Sequence, residues 1–216
     1  MTTIQGKTIS ECFELVSRVN VELEGLRDTL SNLLIFSLEA DKAIPCRIAN
    51  KEVASDERFD DSGWVCTDFS WNLPLKASGK GASKTQQYFG YQISMLGDGI
   101  AVPGYSEPLL HVFCWGAPID FKQGAYVGFP LEETDGDIVE GRLLVWGGSE
   151  VIDWNERSWV YSLRLTMLNS SDDLRKYVVT PSLALLKGAD AASALPDHLF
   201  DSVLVRYPAR EEILVI

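Results

Sequence analysis

Residues 8–40 read TISECFELVSRVNVELEGLRDTLSNLLIFSLEA, with apolar side chains recurring at spacings of three and four. Ile9, Val16, Leu23 and Leu30 repeat every seven residues; Cys12, Val19, Leu26 and Leu33 repeat three residues later. That alternation keeps one apolar seam on a single face of an α-helix. Thr8 followed by Glu11 matches a capping box and predicts the helix start. Pro45 sets the far limit, because it lacks a backbone donor and restricts the residue before it. At 1.5 Å per residue the run spans about 50 Å, wider than a compact domain of this length. A break, a bend near Gly25 or an overhanging end is therefore expected.

The flanks of the seam say what it faces. Phe13 and Leu15 widen the apolar stripe at its start, and Leu34, Ile35 and Phe36 widen it at its end. Asn20, Glu22, Arg27 and Thr29 narrow it between. A two-stranded zipper keeps charged flanks throughout, whereas a helix lying on its own sheet needs a broader stripe. The reading is a lid on the chain's own sheet, with assembly of copies through the helix as the alternative.

Strand-like runs dominate the rest. Trp64–Asn72 alternates, with Trp64 and Trp71 on opposite faces, so one of the two is expected outside the core. Gln86–Leu96 places Phe89, Tyr91, Ile93 and Met95 on one face. Leu109–Trp115 (LLHVFCW) is apolar on both parities, as in a central strand covered on two sides. Gly124–Phe129, Arg142–Trp146, Ser158–Met167, Asp201–Tyr207 and Glu212–Ile216 complete the strands, with an Asp135-Gly136 hairpin turn. Helices are expected from Ser171 and over Pro181–Lys187, the latter with proline at its start and Gly188 after its end. Residues 47–62 are polar and read as a connection. Consecutive strands without intervening helices predict an α+β fold. A long N-terminal helix packs on a mainly antiparallel, aromatic-rich sheet, with two or three short helices toward the C-terminus, as one domain over residues 1–216.

Composition narrows the function classes. The net charge of −12 argues against sequence-independent nucleic-acid binding, which needs a basic surface. Residues 120–156 carry nine acids and two bases, more than half of the net charge. That concentration suggests a docking face for a basic protein partner, with Glu132, Glu133, Asp135, Asp137 and Glu140 as its candidate residues. No apolar run reaches membrane-spanning length, and the first residues lack a secretory pattern. Cys12, Cys46, Cys66 and Cys114 are widely spaced without a CxxC pair, which fits reduced thiols in a bacterial-type cytoplasm.

Catalytic signals are sparse. His111 lies inside an apolar strand and would need a carboxylate such as Asp120 to act as a base. Neither it nor His198 belongs to a zinc-ligand pattern. Lys76–Lys84 and the GDGIAVPG stretch at 97–104 lack the spacing and the following helix that phosphate-binding loops require. Asp135, Asp137 and Glu140 match too little of a calcium loop, and Asp153 with Glu156 fits acids at a turn as well as a glycosidase pair. No metal or cofactor is expected. The leading expectation is a non-enzymatic interaction protein of immunity or accessory type. The alternatives are an enzyme or small-molecule binder with an aromatic pocket near His111, and a structural subunit assembling through the helix.

Overall fold

The structure, a computed structural model, describes residues 6–50, 53–78, 87–129, 136–146, 154 and 156–208. Helix α1 (Gly6–Ala40) is continuous and about 52 Å long. It passes through Gly25 without a break and is already under way at Gly6, so Thr8 sits inside the helix and is not its N-cap. An i,i+4 pair between Lys7 and Glu11 (3.6 Å) occupies the glutamate instead.

Eight strands follow among the described residues: β1 (Cys46–Ile48), β2 (Ala54–Phe59), β3 (Cys66–Ala77), β4 (Gln87–Ser94), β5 (Leu109–Trp115), β6 (Asp137–Val139), β7 (Leu143–Trp146) and β8 (Ser158–Arg164). They form one sheet in the order β1-β3-β4-β5-β8-β7-β6, with β2 also pairing β3. Every strand pair is antiparallel, so the architecture is α+β as the strand succession predicts.

The sheet is covered on both faces, which explains why Leu109 through Cys114 are all buried. One face presents Phe69, Trp71, Leu73, Phe89, Tyr91, Val112 and Tyr161 to α1 and to the C-terminal helices. Trp71 stacks on Tyr91 at 5.5 Å, while Trp64 is 76% exposed because it lies in the turn before β3, its amide held by Asp60, and not in the strand itself. Gly90 allows this packing: a Cβ there would come within 2.0 Å of the Trp71 carbonyl. Leu30, Leu33, Leu34 and Leu38 bury the C-terminal half of the α1 seam. Tyr91 pins it, donating to the Arg27 carbonyl (3.2 Å) and sharing a hydrogen bond with Ser31 (3.0 Å).

Three expected elements come out differently. Residues 47–62 are not a linker, because β1 and β2 arise there. The polar β2 segment ASDERF forms an edge strand whose side chains bond elsewhere: Arg58 to Asp68 (2.7 Å) and Asp98 (2.6 Å), and Asp56 to the Phe121 amide (2.8 Å). Residues 124–129 form no strand. The Gln92 side chain satisfies Val127, accepting from its amide (2.9 Å) and donating to its carbonyl (2.8 Å), while Ala125 pairs with Asp120 and the Phe129 amide bonds the Asp98 carbonyl. Residues 201–203 continue a turn whose amides bond the Leu199 carbonyl, and only 204–207 run on beside β8, with the single bridge Leu163↔Leu204. The β7 ladder stops at Leu144↔Val160, and the open edge beyond takes only this short pairing. Glu212–Ile216 lies outside the described residues.

The C-terminal helical run 171–186 passes through Pro181. It joins α2 (Ser171–Asp173), a π-helical turn (Leu174–Val179) and α3 (Thr180–Leu186), and α4 (Ala191–Ala194) follows. Pro181 supplies no amide to the preceding turn, and the ladder widens there. Tyr161 from the sheet donates its hydroxyl to the Val178 carbonyl at 3.0 Å. The proline therefore lies in the first turn of α3, as its place in the sequence predicts, and α3 follows the π-helical turn without a gap.

Candidate interaction surfaces

The seam on α1 changes character along its length. From Leu23 onward it rests on the sheet; residues 6–18 are all exposed. The outer half still carries the apolar repeat: Ile9 is 47% exposed, Phe13 61%, Leu15 56% and Val16 37%. Cys12, in the same stripe, is an exposed free thiol. Of the three outcomes expected for so long a helix, the overhanging end is the one observed. The root of this stem is fixed where Arg27 stacks on the Phe69 ring at 3.4 Å and meets Glu57 at 3.4 Å. Beside it a crevice of about 240 Å³ opens between helix and sheet, walled by Leu23, Phe59, Cys66, Phe69, Ile93 and Met95.

The candidate acids fall elsewhere. Glu132, Glu133 and Asp135 lie outside the described residues. Asp137 begins the edge strand β6, and Glu140 forms the β6–β7 turn. That turn is Val139-Glu140-Gly141-Arg142, closed by the Arg142 amide on the Val139 carbonyl (3.1 Å), with φ of 52° at Glu140 and 66° at Gly141. This is a type I′ geometry, so the β6–β7 hairpin turns at Glu140-Gly141; Asp135, of the expected Asp135-Gly136 turn, lies outside the described residues. A non-glycine residue there is uncommon. Asp137 and Glu140 face an open groove shared with Tyr105, Glu107, Arg164 and Arg206. Arg164 pairs with Glu107 (2.7 Å) and Arg142 with Glu140 (3.3 Å). Asp137 is thus the groove's acid without an ion-pair partner among the described residues. Asp120 caps its own turn through the Lys122 and Gln123 amides.

His111 is sealed inside the protein and lies on the sheet face opposite α1. Strand register aligns Ser70, Gln92, His111 and Ser162 directly across β3, β4, β5 and β8. All four are fully buried and form a polar row beneath the covering loops. The Gly99 carbonyl can only accept, so His111 Nε2 carries the proton and donates to it at 2.8 Å. Nδ1 then accepts from the Ser162 hydroxyl (2.7 Å), and Ser162 accepts from Tyr207 (2.7 Å). Burial pushes the imidazole pKa down to about 4, against the weaker opposing pull of the Gly99 carbonyl. The histidine is a neutral brace for the loop at 97–100. It does not line a site beneath the helix, and Asp120 does not reach it.

A second structural cluster joins Arg58, Asp68, Asp98 and Tyr126. Burial alone would lower the Arg58 pKa, but its bonds to Asp98 and Asp68 outweigh that and keep the guanidinium charged. His198 is exposed on a 3₁₀ turn. No group of three His, Cys, Asp or Glu side chains among the described residues is placed to hold a metal ion. No described helix is long and apolar enough to cross a membrane. No family model, curated protein or solved structure matches the chain, so a functional reading rests on these surfaces alone.

Proposed function

We propose that this protein is a non-enzymatic interaction protein, and that the outer half of α1 is its principal contact surface. The observation that carries the proposal is the run Ile9, Phe13, Leu15 and Val16, exposed on a stem rooted in a packed core. Most helical stability in proteins comes from packing an amphipathic face, and the outer half of α1 packs its apolar stripe on nothing in its own domain, which favours a partner. Exposed stripes of a few hundred Å² are characteristic of interaction sites on soluble proteins.

The groove at the β6 edge supports a second contact, directed at a basic partner. Asp137 is its unpaired acid, and the described edge strand offers unpaired backbone groups beside it. The two readings separate in one capture experiment from the native host, using the variants Phe13→Glu and Asp135→Lys/Asp137→Lys. Loss of capture with Phe13→Glu alone supports the helix surface. Loss with the lysine variant alone moves the contact to the acidic groove. Equal capture by all three proteins removes both.

A further inference from the structure

We infer that the outer half of α1 pairs with the same segment of a second copy, antiparallel, into a two-helix stem. The inference rests on the helix reading above and names its partner. Its basis is that the uncovered stripe is complementary to itself in one direction only.

Residues 6–22 contain two a positions, Ile9 and Val16, and two d positions, Cys12 and Val19. Antiparallel helices form layers in which an a residue meets a d residue of the other copy. Centring the two-fold axis at residue 14 gives the layers Ile9–Val19, Cys12–Val16, Val16–Cys12 and Val19–Ile9. These are the seam positions before Leu23, so neither copy has to lift Leu23 or Leu26 off its own sheet. The flanks agree. Phe13 then packs on Phe13 of the other copy on one side of the axis, and Leu15 on Leu15 on the other. The polar flanks Thr8, Asn20 and Glu22 fall at the ends of the pair.

A parallel pair gives a poorer match. Its flanks join each g position to the e position five residues on, which sets Thr8 against Phe13 and Leu15 against Asn20. The antiparallel pair also opposes the helix dipoles, which the parallel pair aligns. The antiparallel arrangement sets the two sheet bodies toward opposite ends of the stem. The apolar flanks Phe13 and Leu15, out of place in a charged-flank zipper, become the centre of the contact. A stem of this length lies at the low end of protein interface sizes, which places the dimer in the micromolar range.

The test uses the full chain in analytical ultracentrifugation up to about 100 µM, where a micromolar dimer is populated. The wild type sediments as a species of twice 24.0 kDa. Phe13→Glu is a monomer with unchanged melting temperature in dilute solution, its dimer Kd raised by about a hundredfold or more because both copies bury a charge. Direction is read by mild oxidation. The variant Cys12→Ser/Ile9→Cys/Val19→Cys cross-links into dimers, because residues 9 and 19 share a layer between copies. Wild-type Cys12 does not cross-link, since the two thiols lie about 6 Å apart along the axis in different layers. A monomeric wild type, a dimer indifferent to Phe13→Glu, or efficient Cys12 cross-linking overturns the inference. If the wild type is monomeric yet captures a host protein in a Phe13-dependent way, only the second copy is wrong. If capture is also indifferent to Phe13, the helix reading itself falls.

Discussion

Acidifying the protein from pH 7 to pH 4 is expected to remove about 3 kcal/mol of stability through His111 alone. In the unfolded chain this imidazole titrates near 6.5, and in the folded protein near 4. Above pH 6.5 both states hold it neutral, and its contribution is fully present. As the pH falls below 6.5 the unfolded state takes a proton that the folded state refuses, so stability is lost until the folded pKa is reached. A gap of about 2.5 units at 1.36 kcal/mol per unit gives the magnitude. The refusal has a structural cause. Burial disfavours the charged imidazolium, and a proton on Nδ1 would meet the Ser162 hydroxyl that already donates to that atom, so Ser162 and Tyr207 would have to turn their hydroxyls inside the core while the Nε2 bond to Gly99 stays as it is. The assay is urea unfolding at half-unit pH steps for the wild type and His111→Gln. Carboxylate titrations are common to both proteins and cancel in the difference. The wild-type curve should fall relative to the variant between pH 6.5 and 4. Parallel curves over that range would refute the reasoning: the imidazole would then titrate freely in the folded state, which requires water at His111 and revives a pocket there.

Further substitutions test how the fold is held. Leu34→Ala, at a fully buried seam position, should cost about 3 kcal/mol and lower the melting temperature by roughly 6–12 °C. Val16→Ala, on the same stripe but on the stem, should change dilute-solution stability by less than about 0.5 kcal/mol; equal losses in calorimetry would mean that the whole helix is packed. Arg58→Ala should destabilise by about 3–5 kcal/mol, because it strands the fully buried carboxylate of Asp68. The double variant Arg58→Met/Asp68→Leu should recover most of that loss in chemical denaturation, and no recovery would show that the arginine acts through other contacts.

Local pattern determined much of this protein. The heptad spacing from Ile9 to Leu33 specified a long helix, since one 3.6-residue periodicity is strong evidence over so many turns. The two-sided apolarity of LLHVFCW specified a central strand covered on both faces, whereas the exposure of Trp64 comes from the turn that holds it before β3 and not from strand alternation. Sequence could also state that so long a helix must break or overhang. What it could not state is where the seam ends, because Leu23 and Val16 are equivalent in pattern and differ only in whether a sheet lies beneath them. Only the tertiary structure decided that residues 54–59 become a strand: their main chain pairs with β3 while Asp56 and Arg58 find partners tens of residues away. The same holds for 124–129, where the Gln92 amide takes the place of a neighbouring strand, and for His111, whose role depends on a loop carbonyl at Gly99. The Glu140-Gly141 turn was masked by the stronger Asp-Gly signal just before it. Helix periodicity is a property of nearest neighbours along the chain, whereas the end of a covered surface and the partner of a buried polar group depend on what the rest of the chain brings alongside.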